Sequence, residues 1–314
     1  MRKELGIFAL LVVLCIVVAI LNPRFLAPAN LQNMARLIGM YGIFSIGIGM
    51  VIITGGIDLS VGSVFALLGV LLSIMLTEWH LPGAVAVIAV IAVGAGLGLL
   101  HGFLVTRVLI PPFIVTLCGL LFYRGLARFI ASDETKGFGS AAGFETLRNL
   151  ATGSLFHIPM PFVLLIIVGA VMWVVLHRSV YGRYLFAVGS NEAAAHYSGI
   201  NSRAVIASAY VLSGLLAGIA GVVLAFYTNS ISPSSHGNFY ELYGIAAAVL
   251  GGCSLRGGEG SVIGIIIGAT LLQVLQNLVN LLGIPSSLNF AVMGAVILIG
   301  VIADQLLQRR SVTA

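Results

Sequence analysis

Ala84-Val85-Ala86-Val87-Ile88-Ala89-Val90-Ile91-Ala92-Val93-Gly94-Ala95-Gly96-Leu97-Gly98-Leu99-Leu100-His101 is the stretch whose reading decides the fold class. It carries no Asp, Glu, Lys or Arg. An apolar run of roughly 18 residues is long enough to cross the hydrocarbon core of a bilayer as a helix. Barrel strands alternate polar and apolar residues, which this run does not. Lipid offers the backbone no hydrogen bonds, so helices are the spanning elements.

The rest of the chain repeats the pattern. Of its 314 residues 60% are hydrophobic and only 8% charged, and the mean hydropathy is +1.13. A water-soluble fold of this composition could not cover its own surface. Spans are predicted at Gly6–Leu21, Ile38–Thr54, Val61–Leu76, Pro82–Val105, Phe113–Ile130, Pro161–Leu176, Ala204–Tyr227, Tyr240–Gly252, Ser261–Leu281 and Leu288–Leu306. The expected fold is therefore an all-α polytopic membrane protein of about ten transmembrane helices, formed by one domain over residues 1–314. The eighth span is short, as expected of a partial or re-entrant helix whose freed backbone groups are buried in protein.

A net charge of +5 does not point to nucleic acid, because no basic stripe or interleaved aromatic set lies outside the spans. Topology accounts for it. Nine Lys and Arg residues (Arg2, Lys3, Arg107, Arg178, Arg183, Arg203, Arg256, Arg309, Arg310) fall on one side of the predicted spans. Six (Arg24, Arg36, Arg124, Arg128, Lys136, Arg148) fall on the other. The positive-inside rule then favours both termini in the cytoplasm. Residues 131–160 become an outer loop with short surface structure, and residues 177–203 a cytoplasmic loop. Gly94…Gly98 and Gly214…Gly218 have the spacing that lets membrane helices pack closely.

Three segments carry more than topology. The first, in the cytoplasmic loop, is Gly182-Arg183 … Ala187-Val188-Gly189-Ser190-Asn191-Glu192-Ala193-Ala194-Ala195 … Ser198-Gly199-Ile200. Ser190 or Asn191 can cap a helix of about two turns, Glu192 suits its positive end and Gly199 can terminate it. So short a helix is marginal in water and must be held by something, its own protein or a partner. The second is Gly55-Gly56-Ile57-Asp58-Leu59-Ser60-Val61-Gly62-Ser63. Here the glycines end one span, while Asp58 or Ser60 can cap the next. An acid so near lipid is also a candidate for the transport pathway or its gate. The third is Gly251-Gly252-Cys253-Ser254-Leu255-Arg256-Gly257-Gly258-Glu259-Gly260-Ser261-Val262, a cytoplasmic hairpin with Arg256 and Glu259 as interfacial anchors.

These blocks closely resemble the permeases of ribose-type sugar ABC importers, a likeness that covers nearly the whole chain. The resemblance implies a vitamin-B12-permease-like importer fold in the bacterial inner membrane. It implies that the helix at Asn191 docks into a groove of a separate ATPase subunit, with Gly182, Gly189, Asn191, Glu192, Ala193 and Gly199 as coupling residues. Further implied partners are a second permease copy or paralogue and a periplasmic sugar-binding protein, and Gly55, Gly56, Asp58 and Ser60 are pathway or gate candidates.

The chain has no GxxxxGK[ST] loop, so ATP and its Mg²⁺ are expected on the partner and no cofactor on this chain. HExxH, GxSxG and a useful Ser-His pair are lacking too, and the six histidines are scattered, so neither catalysis nor a metal site is expected. The three cysteines read as small core residues. The rival reading is an ion-coupled secondary transporter, which needs ionisable groups near the midplane; Asp58, Glu241 and His101 come nearest. The sugar and the identity of the second permease are not legible in the residues.

Overall fold

In the computed structural model, residues 2–139, 141 and 143–285 are described, with positions 288, 291, 292, 294, 295 and 298 beyond them. The helices are α1 Arg2–Leu21, α2 Pro28–Ile53, α3 Val61–Thr77, α4 Gly83–Thr106, α5 Pro112–Ile130 and α6 Phe144–Thr152. They continue with α7 Met160–His177, α8 Val180–Ser190, α9 Glu192–Tyr197, α10 Ser202–Thr228, α11 Tyr240–Leu250 and α12 Val262–Leu281. Four two-residue strands are β1 Lys136–Gly137, β2 Ser154–Leu155, β3 Ile158–Pro159 and β4 Ser230–Ile231.

Among the described residues seven helices, α1, α2, α4, α5, α7, α10 and α12, are long and apolar enough to cross a bilayer, with α3 and α11 as shorter apolar helices. They correspond to the first nine predicted spans. The tenth, Leu288–Leu306, lies outside the continuously described residues. α2 starts well before the predicted Ile38 because its polar first turns find partners. Asn30 pairs with Asn277 at 2.7–3.1 Å, and the Arg36 guanidinium lies 5.8 Å from the Tyr227 ring centre.

Buried positions fill 89% of the apolar window of α2 and 72% of that of α10, against 11% for α1. α2 and α10 therefore form the centre of the bundle, and α1 its rim. Between helices in lipid there is little hydrophobic driving force, so close van der Waals contact must hold them. The glycine pairs supply it: Gly94 stands where a methyl group would lie 2.6 Å from the Gly214 carbonyl, and at Gly218 one would lie 3.0 Å from Ile91 Cα. α4 and α10 thus meet backbone to backbone.

The segment between α5 and α7 carries α6 and the strands β1, β2 and β3. β1 pairs antiparallel with β4, Lys136 opposite Ile231, and β2 with β3. Phe138 and Phe144 stack at 4.7 Å and both meet Phe226 near the end of α10.

α3 and α11 start inside the bundle. Following α3 back from its C-terminal end at Thr77, Ser73 Oγ donates to the Gly137 carbonyl at 2.6 Å, Gly69 faces Ile231, and Gly62 faces Gly237. At 1.5 Å per residue, Gly62 lies about 22 Å below Thr77. Residues 231–237 therefore descend along α3 into the interior. From there α11 runs about 16 Å to the opposite end.

Candidate functional site

The three sequence blocks, far apart along the chain, meet at one end of the bundle. α2 ends at Ile53, and Gly55 turns the chain with φ +81°. The Gly258 N–H donates to the Ile53 carbonyl at 2.9 Å. Gly189, in α8, lies against that same carbonyl and against the Gly258 nitrogen, which a methyl group there would approach to 2.6 Å. Gly257 (φ +85°) is equally close to the Gly189 carbonyl. Only glycine leaves room for three backbones at one point. Arg256 and Glu259 are exposed on the hairpin beside this junction.

Residues 177–203 carry two short helices, α8 and α9, where one was expected. Ser179 caps α8, its Oγ accepting the Gly182 N–H at 3.1 Å. Gly182, Leu185 and Val188 recur every third residue and bury that face of α8 on the bundle, a periodicity hidden by the glycines. Asn191 ends α8 and caps α9, its Oδ1 accepting the Ala194 N–H at 3.0 Å. Gly199, φ +83°, follows the end of α9. Within α9 Ala195 is buried, while Asn191, Glu192, Ala193, His196 and Gly199 are exposed and Tyr197 is 90% exposed. The six expected coupling residues therefore divide. Asn191, Glu192, Ala193 and Gly199 face outward; Gly182 and Gly189 face the protein's own backbone.

Asp58 is buried in an extended stretch between α2 and α3. Its Oδ1 accepts the Ser60 N–H at 3.0 Å and the Ser60 hydroxyl at 2.7 Å. Its Oδ2 accepts the Ser213 hydroxyl of α10 at 2.8 Å. Of the two residues expected to cap the next helix, Asp58 or Ser60, Ser60 makes no side-chain cap, because its hydroxyl is drawn to the carboxylate. Three donors compensate the burial of this charge. Thr116 of α5 donates to the Ile57 carbonyl at 3.1 Å, and Tyr123 pairs with His101 Nε2 at 2.8 Å. Gly55 lies at the junction of the three blocks, near the Arg256 carbonyl, and Gly56 against the Tyr210 hydroxyl. The void beside Asp58 and His101 measures about 10 Å³, room for no more than one water.

Arg124 was expected among the outer charges, and the structure corrects this. It lies about 18 Å along α5 from Pro112. Its guanidinium donates to the carbonyls of Pro233 (3.1 Å), His236 (2.7 Å) and Gly62 (3.1 Å). One side chain so joins the starts of α3 and α11 and satisfies the backbone where the chain re-enters the bundle, which helix geometry alone cannot do. The buried Glu241 carboxylate lies against Gly62 and beside Arg124. The interior is thus richer in ionisable groups than the scattered charges of the sequence indicated. An Arg in the middle of the span Phe113–Ile130 was the available signal, since an ionisable residue at that depth is functional by default.

The Arg128 guanidinium, 2.6 Å from Asp133, holds that carboxyl below its usual value. Burial pushes the Cys253 thiol up to about 12.

A family profile described as branched-chain amino acid transport system / permease component matches residues 30–301. The ribose import permease protein RbsC of Bacillus subtilis is 40% identical over 304 residues, covering 96% of this chain and 93% of that protein. RbsC of Escherichia coli K12 is 38% identical over 304 residues, covering 97% and 94%. The D-allose transport system permease protein AlsC of Escherichia coli K12 is 31% identical, covering 97% and 92%. No solved structure matches the chain. The multi-pass helical architecture, the converging glycine blocks and these likenesses along almost the full length place the chain in the branched-chain amino acid transport system permease component family, among its ABC sugar-importer permeases.

Proposed function

We propose that this chain is the membrane subunit of an ATP-driven importer of a monosaccharide, ribose or a sugar like it, in the bacterial cytoplasmic membrane. Two permease subunits, this chain with a second copy or a paralogue, work with two ATPase subunits and a periplasmic sugar-binding protein. Each permease has ten spans in a vitamin-B12-permease-like fold with both termini in the cytoplasm. ATP and Mg²⁺ are held by the ATPase; this chain binds no cofactor and catalyses no covalent step.

The observation that carries this reading is α9. A six-residue helix with a complete N-cap stands exposed and is tied on both sides to buried elements, α8 and α10. It is a rigid handle at a surface. Gly189 fastens α8 to the ends of α2 and the 251–261 hairpin, so a push on α9 reaches α2, α10 and α11 together. Asp58 extends that link, because its bond to Ser213 ties α10 to the start of α3. The printed names of the relatives, ribose and D-allose permeases, support a monosaccharide.

Reconstitution with the ATPase and binding protein tests the reading. Uptake should require ATP and survive a protonophore, and Glu192→Lys should abolish uptake while the ATPase alone still hydrolyses ATP. Uptake that continues without ATP and collapses with the protonophore would establish ion-coupled transport and overturn the proposal.

A further inference from the structure

Residues 232–239 stand at a depth where exposed polar groups need an explanation. Ile231 lies against Gly69 and Gly237 against Gly62, so the residues between them are about 12–22 Å below the outer end of α3. α11 continues about 16 Å beyond, toward the cytoplasmic junction. The segment therefore sits within the hydrocarbon layer, whose thickness is about 30 Å.

One side of this segment is sealed. The Pro233 and His236 carbonyls accept from Arg124, and Pro233, His236 and Gly237 are buried. The other side is open. Ser234, Ser235 and Asn238 are exposed, and Phe239 is 47% exposed. Ser234 shares a hydrogen bond with Ser232 at 3.2 Å. Irregular backbone with hydroxyl and amide side chains cannot face acyl chains, which offer it no partners; at membrane depth it must line water or protein. Lipid-facing positions of the same bundle have the opposite composition, as Ile88 of α4 and Phe122 of α5 illustrate, 67% and 66% exposed.

We infer that Ser234, Ser235, Asn238 and Phe239 form the wall of the translocation path and contact the sugar in transit. The inference rests on the importer reading above. Its chemistry matches the cargo: two hydroxyls and a carboxamide can exchange hydrogen bonds with sugar hydroxyls, and an aromatic face can cover the apolar C–H side of a pyranose or furanose ring. Position matches as well. The segment directly precedes α11 and is clamped by Arg124 to the start of α3, so the wall moves with the two half-helices that the cytoplasmic junction reaches.

The test uses the complete transporter in membranes, with Cys15 and Cys118 replaced by serine. Ser235→Cys and Asn238→Cys are exposed to a charged methanethiosulfonate reagent. Both should react roughly tenfold faster than Ile88→Cys, since lipid excludes the charged probe. No reaction at either position, while Tyr197→Cys reacts, would show the face covered by lipid or a second copy and overturn the inference. Two further variants read the sugar. Phe239 has φ +65°, a conformation glycine adopts freely, so Phe239→Gly removes the ring and leaves the backbone unstrained. Phe239→Gly and Asn238→Ala should each raise the half-saturating sugar concentration roughly tenfold, about the effect of one lost hydrogen bond or ring contact, with assembly and ATP hydrolysis intact. The sugar measured is whichever of D-ribose, D-allose or D-fructose the wild-type complex carries. Unchanged uptake in both variants would overturn the sugar contact. A wild-type complex that carries none of them under ATP would count against the proposed function, and the labelling result would still decide whether the face is wet.

Discussion

Gly189→Ala is the sharpest single perturbation of the cytoplasmic junction. The new methyl group would meet the Ile53 carbonyl and the Gly258 nitrogen, both main-chain atoms. Backbone cannot rotate away as a side chain can, so α8 or the hairpin must shift. Overpacking of this kind costs about 1–3 kcal/mol. The shift also strains the Gly258 N–H to Ile53 carbonyl bond, worth about 1 kcal/mol net. Against this, alanine is the better helix former by about 1 kcal/mol. The balance is a destabilisation of about 1–3 kcal/mol.

Two other glycines calibrate the measurement. Gly96 has open space around it, so Gly96→Ala should be neutral or stabilising by up to about 1 kcal/mol. Gly199 also has space, but its φ of +83° is unfavourable for alanine, giving a loss of about 1 kcal/mol from backbone strain alone. Reversible unfolding of the purified permease in mixed micelles would rank the three. Gly189→Ala should also lower ATP-driven uptake more than Gly199→Ala does, because it displaces the whole of α8. If Gly189→Ala and Gly96→Ala fall within about 0.5 kcal/mol of each other, the three blocks do not meet as described and the reasoning fails.

Ser213→Ala removes one donor from buried Asp58 and should cost about 1.5–3 kcal/mol; in a double-mutant cycle with Asp58→Asn the two changes should be non-additive, and strict additivity would mean the 2.8 Å bond is not made. Arg124→Leu leaves three carbonyls and Glu241 without their cation and should destabilise by about 3–5 kcal/mol. Adding Glu241→Gln should recover part of that loss in the same unfolding assay, and no recovery would separate the two groups. Cys253, with its thiol raised to about 12, stays protonated at neutral and mildly alkaline pH. In the folded permease with Cys15 and Cys118 replaced by serine, it should resist maleimide from pH 7 to 9 and react on unfolding; rapid labelling of that folded protein would show the hairpin to be open.

Much of this protein was legible residue by residue. Whether a run of side chains prefers lipid to water is additive along the chain, so Ala84–His101 and its counterparts announced the spans without reference to anything distant. Helix caps are equally local: Asn191 reaches an N–H only three residues on, and Gly199 sets its own φ. The glycine pairs of α4 and α10 could be read as close-packing surfaces from spacing alone, though not which helices they join. The motif blocks carried the family resemblance before any geometry was known.

Tertiary structure decided what those residues touch. Gly55, Gly189 and the pair Gly257-Gly258 lie far apart in sequence and share one point in space, which turns Gly189 inward and leaves Asn191, Glu192 and Ala193 to face out. Ser60 could cap a helix, but a carboxylate two residues away is the stronger acceptor for its hydroxyl. Arg124 could have been a surface charge or a buried clamp. Only the return of residues 231–237 into the bundle, bringing two carbonyls to its guanidinium, settled which. The hydropathy that makes a helix is a sum over neighbours in sequence, whereas the partner that satisfies a buried donor is a single group that chain folding must bring from elsewhere.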